Sequence, residues 1–183
     1  MKKKFIIGMA ARITNDKRQD IIVDIAYKNK NYLKKNKVEF QLAGEGEMLS
    51  ILKRRIDQYN LRDTIKLVGY LDEDKLIKWY RKLKIYIHLS KDETTSTSIL
   101  QAMSMSLPII ASKIGGNQNF LKYFRGQPNI ILTKNDSNHI FLILKNLMNS
   151  NKKINLMSSL SRKTIEKYYS SKKMFREYEK IFK

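Results

Sequence analysis

The amino-acid sequence predicts an α/β fold built on a doubly wound, Rossmann-like parallel sheet. Short apolar runs alternate with longer stretches whose apolar residues recur at helical spacing, and this alternation continues to about residue 135. Strands that alternate with helices in this way form parallel sheets covered on both faces. The 183 residues suffice for one such domain with a single core.

Six short segments are predicted as strands because they are apolar and rich in β-branched residues. They are residues 5–10, 38–42, 65–68, 85–89, 109–111 and 129–132. Ligands of such sheets bind beyond the carboxyl ends of the strands, so a site is expected in the loops that follow them. Those loops are residues 11–18, 43–47, 69–72, 90–97 and 112–118.

The stretches between the predicted strands have the spacing of helices. Residues 18–35 are predicted as one helix, and another is expected from Ser98 to Met105. Asp72 is the expected N-cap of a third, because Glu73 and Asp74 then stand in the first turn, where the helix dipole favours acidic side chains.

Beyond the last predicted strand the pattern is helical only. Three helices are expected there, the last two over residues 153–169 and 171–182. We therefore expect a single domain over residues 1–183, with an α/β core over 1–135 and extra C-terminal helices over 136–183.

Composition narrows the classes of function. The chain has no cysteine, which excludes disulfides, thiolate metal sites and cysteine nucleophiles. With only two histidines, a histidine-based metal cluster is not expected. No apolar run approaches the roughly 20 residues of a membrane-spanning helix, and charged residues interrupt the N-terminal apolar stretch that a signal peptide would need. The expected location is the cytoplasm.

The net charge of +20 has three explanations at this stage. A basic surface can simply be solvated, it can dock on the anionic inner face of a membrane, or it can bind nucleic acid. The lysines are spread along the whole chain, and no aromatic residues interleave with them in the manner of a nucleic-acid groove. Nucleic acid is therefore not an expected partner, whereas peripheral association with a membrane remains open.

Three loops carry residues suited to binding phosphate. Arg12 and Lys17 flank a polar turn and could clamp a diphosphate, although both could also be ordinary surface charges. Gly44 and Gly46 allow the backbone to turn tightly beside a ligand, or mark a plain turn. The hydroxyl run from Thr94 to Ser98 enters a helix, whose N-terminus is an anion site, or caps that helix only.

Two further features have mainly structural interpretations. Gly115 and Gly116 lie between a strand and a helix, where they permit close approach of a ligand or form a simple loop. His88 stands among apolar residues of the fourth strand and is predicted to be a buried, structural histidine.

These elements, in this order, resemble the C-terminal, donor-binding domain of the retaining GT-B glycosyltransferases of the family called glycosyl transferases group 1, or GT4. Five motifs of that family have counterparts in this chain. They are "GRL" with the lysine that follows it, "GxG", a third strand that ends in glycine, "PS-x-x-E", and the segment from "E-A-M" to "G-G-x-x-E". These are residues 11–18, 44–46, 65–69, 89–93 and 101–119.

The resemblance implies roles for individual residues. Arg12 and Lys17 would hold the donor diphosphate and stabilise the leaving nucleotide. Glu93 matches the first glutamate of a Glu–seven residues–Glu motif and would face the donor sugar, and Gln101 stands where the second glutamate contacts the ribose. The turn over 94–98 would meet the diphosphate, and the backbone over 69–71 the base. The donor-binding residues thus implied are Gly44, Gly46, Gly69, Tyr70, Leu71, Thr94, Thr95, Ser96, Thr97, Ser98 and Gln101.

The resemblance also implies an activity. The chain would be the nucleotide-sugar-binding half of a retaining glycosyltransferase in polysaccharide or glycoconjugate biosynthesis, using a UDP- or GDP-sugar without a metal or other cofactor. A glycan or lipid-linked acceptor would bind an N-terminal GT-B domain or a separate subunit, because we expect this chain to lack that domain. Gln101, Ser106 and Asn119 depart from the family motifs, so a non-catalytic binding or scaffold module is the alternative.

Overall fold

The computed structural model describes residues 4–182 and has a six-stranded parallel sheet at its centre. The strands of this sheet are β1 (Phe5–Ala10), β2 (Val38–Ala43), β3 (Ile65–Gly69), β4 (Ile85–His88), β5 (Ile109–Ser112) and β8 (Ile130–Thr133). Two further strands, β6 (Tyr123–Phe124) and β7 (Gln127–Pro128), form a separate hairpin. The strand order is β3-β2-β1-β4-β5-β8. The chain therefore winds outward from β1 to β3 and returns to place β4 on the other side of β1, which confirms the doubly wound prediction.

The helices lie between and after these strands. They are α1 (Gln19–Lys28), α2 (Lys30–Lys35), α3 (Leu49–Gln58), α4 (Glu73–Tyr80), α5 (Thr97–Ser104), α6 (Gly115–Gln118), α7 (Ser137–Met148), α8 (Asn151–Tyr168) and α9 (Ser171–Ile181). Asp72 caps α4 as expected, accepting a hydrogen bond from the backbone N–H of Lys75.

One local prediction was wrong, and one element was not predicted. The single helix over 18–35 is divided at Asn29, whose backbone N–H and side-chain amide both donate to the carbonyl of Ile25 and so end α1. The β6–β7 hairpin was not predicted, because its strands are only two residues long. Arg125 and Gly126 form its turn with φ of 50° and 77°, the left-handed conformation that two-residue hairpin turns require.

The sheet has an apolar core on each face. Residues of α1, α3 and α7 cover one face, and residues of α4, α5 and α8 cover the other. Gly8 shapes the second core, because a side chain there would come within 2.8 Å of Leu83 and Trp79. Because Gly8 has no side chain, both of these residues can pack directly on β1.

The C-terminal helices differ in how they are packed. α8 buries Met157, Leu160 and Thr164 and packs against α5 and α7. α9 buries none of its described residues. Within residues 4–182, no helix is long and apolar enough to cross a membrane.

Candidate functional site

The loops that follow β1 and β4 are joined at the carboxyl edge of the sheet. The backbone N–H of Lys91 donates a 2.8 Å hydrogen bond to the carbonyl of Asp16, and the buried Ser90 hydroxyl lies 3.1 Å from the same oxygen. Asn135, after β8, donates to the Ser90 carbonyl at 2.9 Å. These bonds fix the two predicted loops at the point where the strand order reverses.

Lys17, His88 and Glu93 form a connected group, called the Glu93 cluster below. The Lys17 ammonium donates a 2.6 Å hydrogen bond to Glu93 Oε2, and His88 Nε2 lies 3.0 Å from the same oxygen. Each of the three side chains is less than a fifth exposed. The hydrogen bond from His88 is the main cause that lowers the pKa of Glu93 to about 2; burial opposes it, and Lys17 adds to it. The Glu93 carboxylate is therefore ionised at neutral pH.

His88 is buried, as its apolar neighbours in the sequence predicted, but it also belongs to the candidate site. The sequence does contain a signal for this role, since His88 is the last residue of β4 and Glu93 follows in the next loop. Two residues before it on the same strand, Tyr86 donates a 3.0 Å hydrogen bond to the carbonyl of Ala10 at the end of β1. Tyr86 thus joins β4 to the carboxyl end of β1.

Arg12 lies on the same loop as Lys17, yet the structure places the two side chains differently. The Arg12 side chain is exposed and forms no ion pair with any residue in the range 4–182. Its carbonyl accepts a 2.8 Å hydrogen bond from the buried Gln19 side chain, which fixes the backbone at this position. The cluster therefore holds one of the two predicted cations, and the other faces solvent.

The hydroxyl run at the start of α5 divides into two sets. Ser96 is buried and caps the helix by accepting from the backbone N–H of Ile99 at 3.3 Å, and its hydroxyl lies 2.9 Å from that of Ser98. Thr94, Thr95 and Thr97 are exposed. Capping therefore explains Ser96, while the three threonines surround the open N-terminus of α5.

The glycines have separate explanations. A side-chain carbon at Gly44 would come within 2.0 Å of the Ala11 carbonyl oxygen, and one at Gly46 within 2.4 Å of that of Ile13. A side-chain carbon at Gly116 would likewise come within 2.1 Å of the Glu93 carbonyl oxygen. Contact with the chain's own backbone thus accounts for all three glycines without a ligand.

Gly69 differs, because it has a φ of +76° and its side-chain position is open. Beside it, Tyr70 is exposed and Leu71 is half-buried. The segment 69–71 thus presents accessible backbone next to the loop after β2, to which it is joined by the hydrogen bond from Gly44 N–H to the Gly69 carbonyl.

Residues 1–164 match the family model described as glycosyl transferases group 1. The chain belongs to this family. An uncharacterized glycosyltransferase of Methanocaldococcus jannaschii is 31% identical over 149 residues, which make up 81% of this chain and 37% of that protein. The poly(ribitol-phosphate) α-N-acetylglucosaminyltransferase of Staphylococcus aureus is 23% identical over 178 residues, 97% of this chain and 35% of that protein. The chain thus spans little more than a third of the length of these relatives.

Solved structures agree with this membership. A variant of S. aureus TarM in complex with fondaparinux, α-GlcNAc-glycerol and UDP has a TM-score of 0.83 at 23% identity, covering 98% of this chain and 35% of that one. The C-terminal domain of the group 1 glycosyltransferase LpcC from Francisella tularensis has a TM-score of 0.79 at 23% identity, covering 91% of this chain and 87% of that one. The fold is therefore that of a C-terminal GT-B domain.

In this group 1 chain, Gln101 lies one helical turn after the start of α5 and is exposed. The buried Tyr80 hydroxyl lies 3.4 Å from its Oε1 and 3.2 Å from the carbonyl of Ser98. Gln101 therefore offers an oxygen acceptor without a negative charge. Among residues 4–182, no group of three or more histidine, aspartate or glutamate side chains could hold a metal ion.

Proposed function

We propose that this chain binds the nucleotide-diphosphate sugar of a retaining glycosyl transfer to a glycan or lipid-linked acceptor. The observation that carries the proposal is the Lys17–Glu93 pair at the reversal of strand order, beside the open N-terminus of α5. A cation and a helix N-terminus on one edge suit the diphosphate, and an ionised carboxylate next to them suits sugar hydroxyls.

The chemistry assigns the two cations a role in leaving-group stabilisation. As the bond between the sugar and the diphosphate breaks, negative charge grows on the departing phosphate. Lys17 has three N–H donors, so it can bind a phosphate oxygen while it keeps its bond to Glu93. Arg12 lies exposed on the same loop and can bind in a planar, two-bond fashion. The proposal needs no metal or other cofactor.

The relatives support a UDP-sugar and a polymeric acceptor. TarM was crystallised with UDP, and the S. aureus relative is described as transferring N-acetylglucosamine to poly(ribitol phosphate). Because this chain spans about a third of that relative, we propose that the acceptor binds an N-terminal GT-B domain or a separate subunit. Gln101 would contact the ribose, and the segment 69–71 the base.

Calorimetric titration of the chain with UDP, GDP and ADP tests the proposal. We expect saturable binding of one nucleotide, weakened at least about tenfold in an Arg12→Ala/Lys17→Ala variant, because two charge-assisted contacts are lost. A Lys53→Ala/Arg54→Ala variant removes the same charge from the exposed surface of α3 and serves as the control. If no nucleotide binds, or if both variants weaken binding equally, the donor-site assignment is wrong.

A non-catalytic binding module is the second candidate, and Gln101 favours it because the charged acceptor of the family motif is missing. The variant Gln101→Glu separates the two candidates. A gain in UDP-sugar affinity or transfer supports the donor site. No gain in either quantity supports the scaffold.

The basic surface carries a further part of the proposal, peripheral association with an anionic membrane that bears the acceptor. The chain has a net charge of +20, and each basic residue near such a surface contributes about 1 kcal/mol. Cosedimentation with vesicles of rising phosphatidylserine content should show binding that increases with the anionic fraction. Binding independent of that fraction would contradict it.

A further inference from the structure

The Glu93 carboxylate is engaged through one of its two oxygens. Both Lys17 and His88 contact Oε2, and no hydrogen bond reaches Oε1 from any residue in the range 4–182. Lys17 comes from the loop after β1 and keeps 18% of its side chain exposed, so a ligand can reach it. His88 is held by β4 and is buried, so it is the fixed partner of the carboxylate.

The direction of the hydrogen bond between His88 and Glu93 follows from chemistry. An ionised carboxylate can only accept, so the proton of this bond resides on Nε2 of the imidazole. In the neutral ring, Nδ1 is then an acceptor. Two hydroxyls lie 3.5 Å from Nδ1, those of Tyr86 and Ser98.

Only one of these two hydroxyls can donate its proton to Nδ1, because the other donates to a backbone carbonyl. Tyr86 donates its proton to the Ala10 carbonyl at 3.0 Å. Ser96 accepts from the Ile99 N–H and lies 2.9 Å from the Ser98 hydroxyl, and either of these two hydroxyls can donate to the other. Ser98 is therefore the hydroxyl that can donate to Nδ1, and when it does, Ser96 donates to Ser98 and the donors run from Ser96 through Ser98 and His88 to Glu93.

We infer that His88 is a positioning residue that holds Glu93 through its Nε2–H and leaves carboxylate Oε1 turned toward the donor sugar, a role that rests on the proposed function. The imidazole joins the capping residues of α5 to the carboxylate, so the helix N-terminus and Glu93 are kept in one fixed geometry. Without this bond, Glu93 would retain only Lys17, from the loop after β1, as a side-chain partner.

Two polar substitutions test this role while keeping the site similarly polar. In His88→Gln the amide nitrogen takes the place of Nε2 and keeps a donor toward Glu93. In His88→Asn the shorter side chain reaches only the position of Nδ1 and loses that donor. We expect His88→Asn to weaken UDP-GlcNAc binding about tenfold with little change for UDP, and His88→Gln to retain most of the affinity.

A double-mutant cycle with Glu93→Gln separates positioning from general structural support. If His88 acts through Glu93, His88→Asn should cause little further loss of UDP-GlcNAc affinity in the Glu93→Gln background. Additive losses, or equal losses for UDP and UDP-GlcNAc, would overturn the inference. His139→Asn, at an exposed histidine on α7, is the control for replacing an imidazole.

A measurement without ligand distinguishes failure of this inference from failure of the proposed function. Nitrogen-15 NMR of the imidazoles of the 183-residue chain should show His88 carrying a proton on Nε2, with a signal that shifts in Glu93→Gln while that of His139 does not. If the NMR result holds and no nucleotide binds, the proposed function fails, and the positioning role falls with it. If nucleotides bind and the His88 signal does not respond to Glu93→Gln, the positioning role fails alone.

Discussion

The Glu93 cluster and helix α9 differ in how their side chains are partnered. In the cluster, Lys17 and His88 lie within 3.0 Å of the same oxygen of Glu93, and all three side chains are mostly shielded from solvent. α9 leaves large apolar side chains in solvent, including Phe175 at 63% and Ile181 at 74% exposure. The geometry of the candidate site is therefore fixed within this chain, whereas α9 adds little to the stability of the fold. Four changes in the free energy of unfolding, from the largest to the smallest, test this contrast.

The largest effect is expected from Gly116→Ala. The new methyl group would come within 2.1 Å of the Glu93 carbonyl and 2.2 Å of the Thr94 carbonyl, so the backbone beneath the cluster must move. We expect a loss of about 3 kcal/mol in urea unfolding. Gly115→Ala, whose side-chain position is open, is the matched control. A Gly116→Ala protein as stable as its control would show that the loop is loosely held.

A smaller loss is expected from Ser90→Ala. The Ser90 hydroxyl is fully buried and lies within 3.1 Å of the carbonyls of Asp16 and Asp92, so its removal unties the two loops. The loss should be about 1–2 kcal/mol. Ser50→Ala, on the exposed surface of α3, should change stability by less than about 0.5 kcal/mol. Equal effects of the two substitutions would contradict the role of the Ser90 hydroxyl in joining the two loops.

The third effect depends on pH. The pKa of Glu93 in the folded state, about 2, lies below its usual value of 4.5. The ionised carboxylate therefore stabilises the folded state fully above pH 4.5, and this stabilisation is lost as the pH falls toward 2. Because the site is partly solvated, we expect the wild type to lose about 1 kcal/mol more than Glu93→Gln between pH 6 and pH 3. Urea unfolding at both pH values measures the difference. Glu45→Gln, at an exposed loop residue, should behave like the wild type, and parallel losses in wild type and Glu93→Gln would argue against the cluster.

The smallest effect is expected on α9. Phe175→Ser should change the unfolding free energy by less than about 0.5 kcal/mol, since the side chain has little contact to lose. Phe120→Ser, at a buried position, should cost at least about 3 kcal/mol and shows that the assay responds. A loss above about 1 kcal/mol for Phe175→Ser would mean that α9 packs on the domain and that the contrast is false.

The sequence predicted most of the fold because hydrophobic periodicity follows burial closely. β1 has the predicted bounds, and the alternation of strand and helix led to the correct class. The break at Asn29 was missed because it depends on one side-chain hydrogen bond, which periodicity does not record.

The site was predictable in position more than in geometry. The carboxyl edge follows from parallel topology alone. Lys17 was a candidate because of its loop, and Glu93 was selected through the family resemblance. Their contact, and the contact of Glu93 with His88, joins residues that no local pattern relates. An apolar context signals that His88 is buried, but it does not identify the group that its ring meets.

The position of β1 at the centre of the sheet has a consequence for synthesis on the ribosome. On one side β1 pairs with β2, as Ile7 with Phe40, and on the other with β4, as Ile7 with Ile85. A chain that emerges from its N-terminus can assemble β1, β2 and β3 early, but the second edge of β1 has no strand to pair with until β4 has been made. During that interval the nascent chain presents an apolar strand edge, which is a hazard for aggregation.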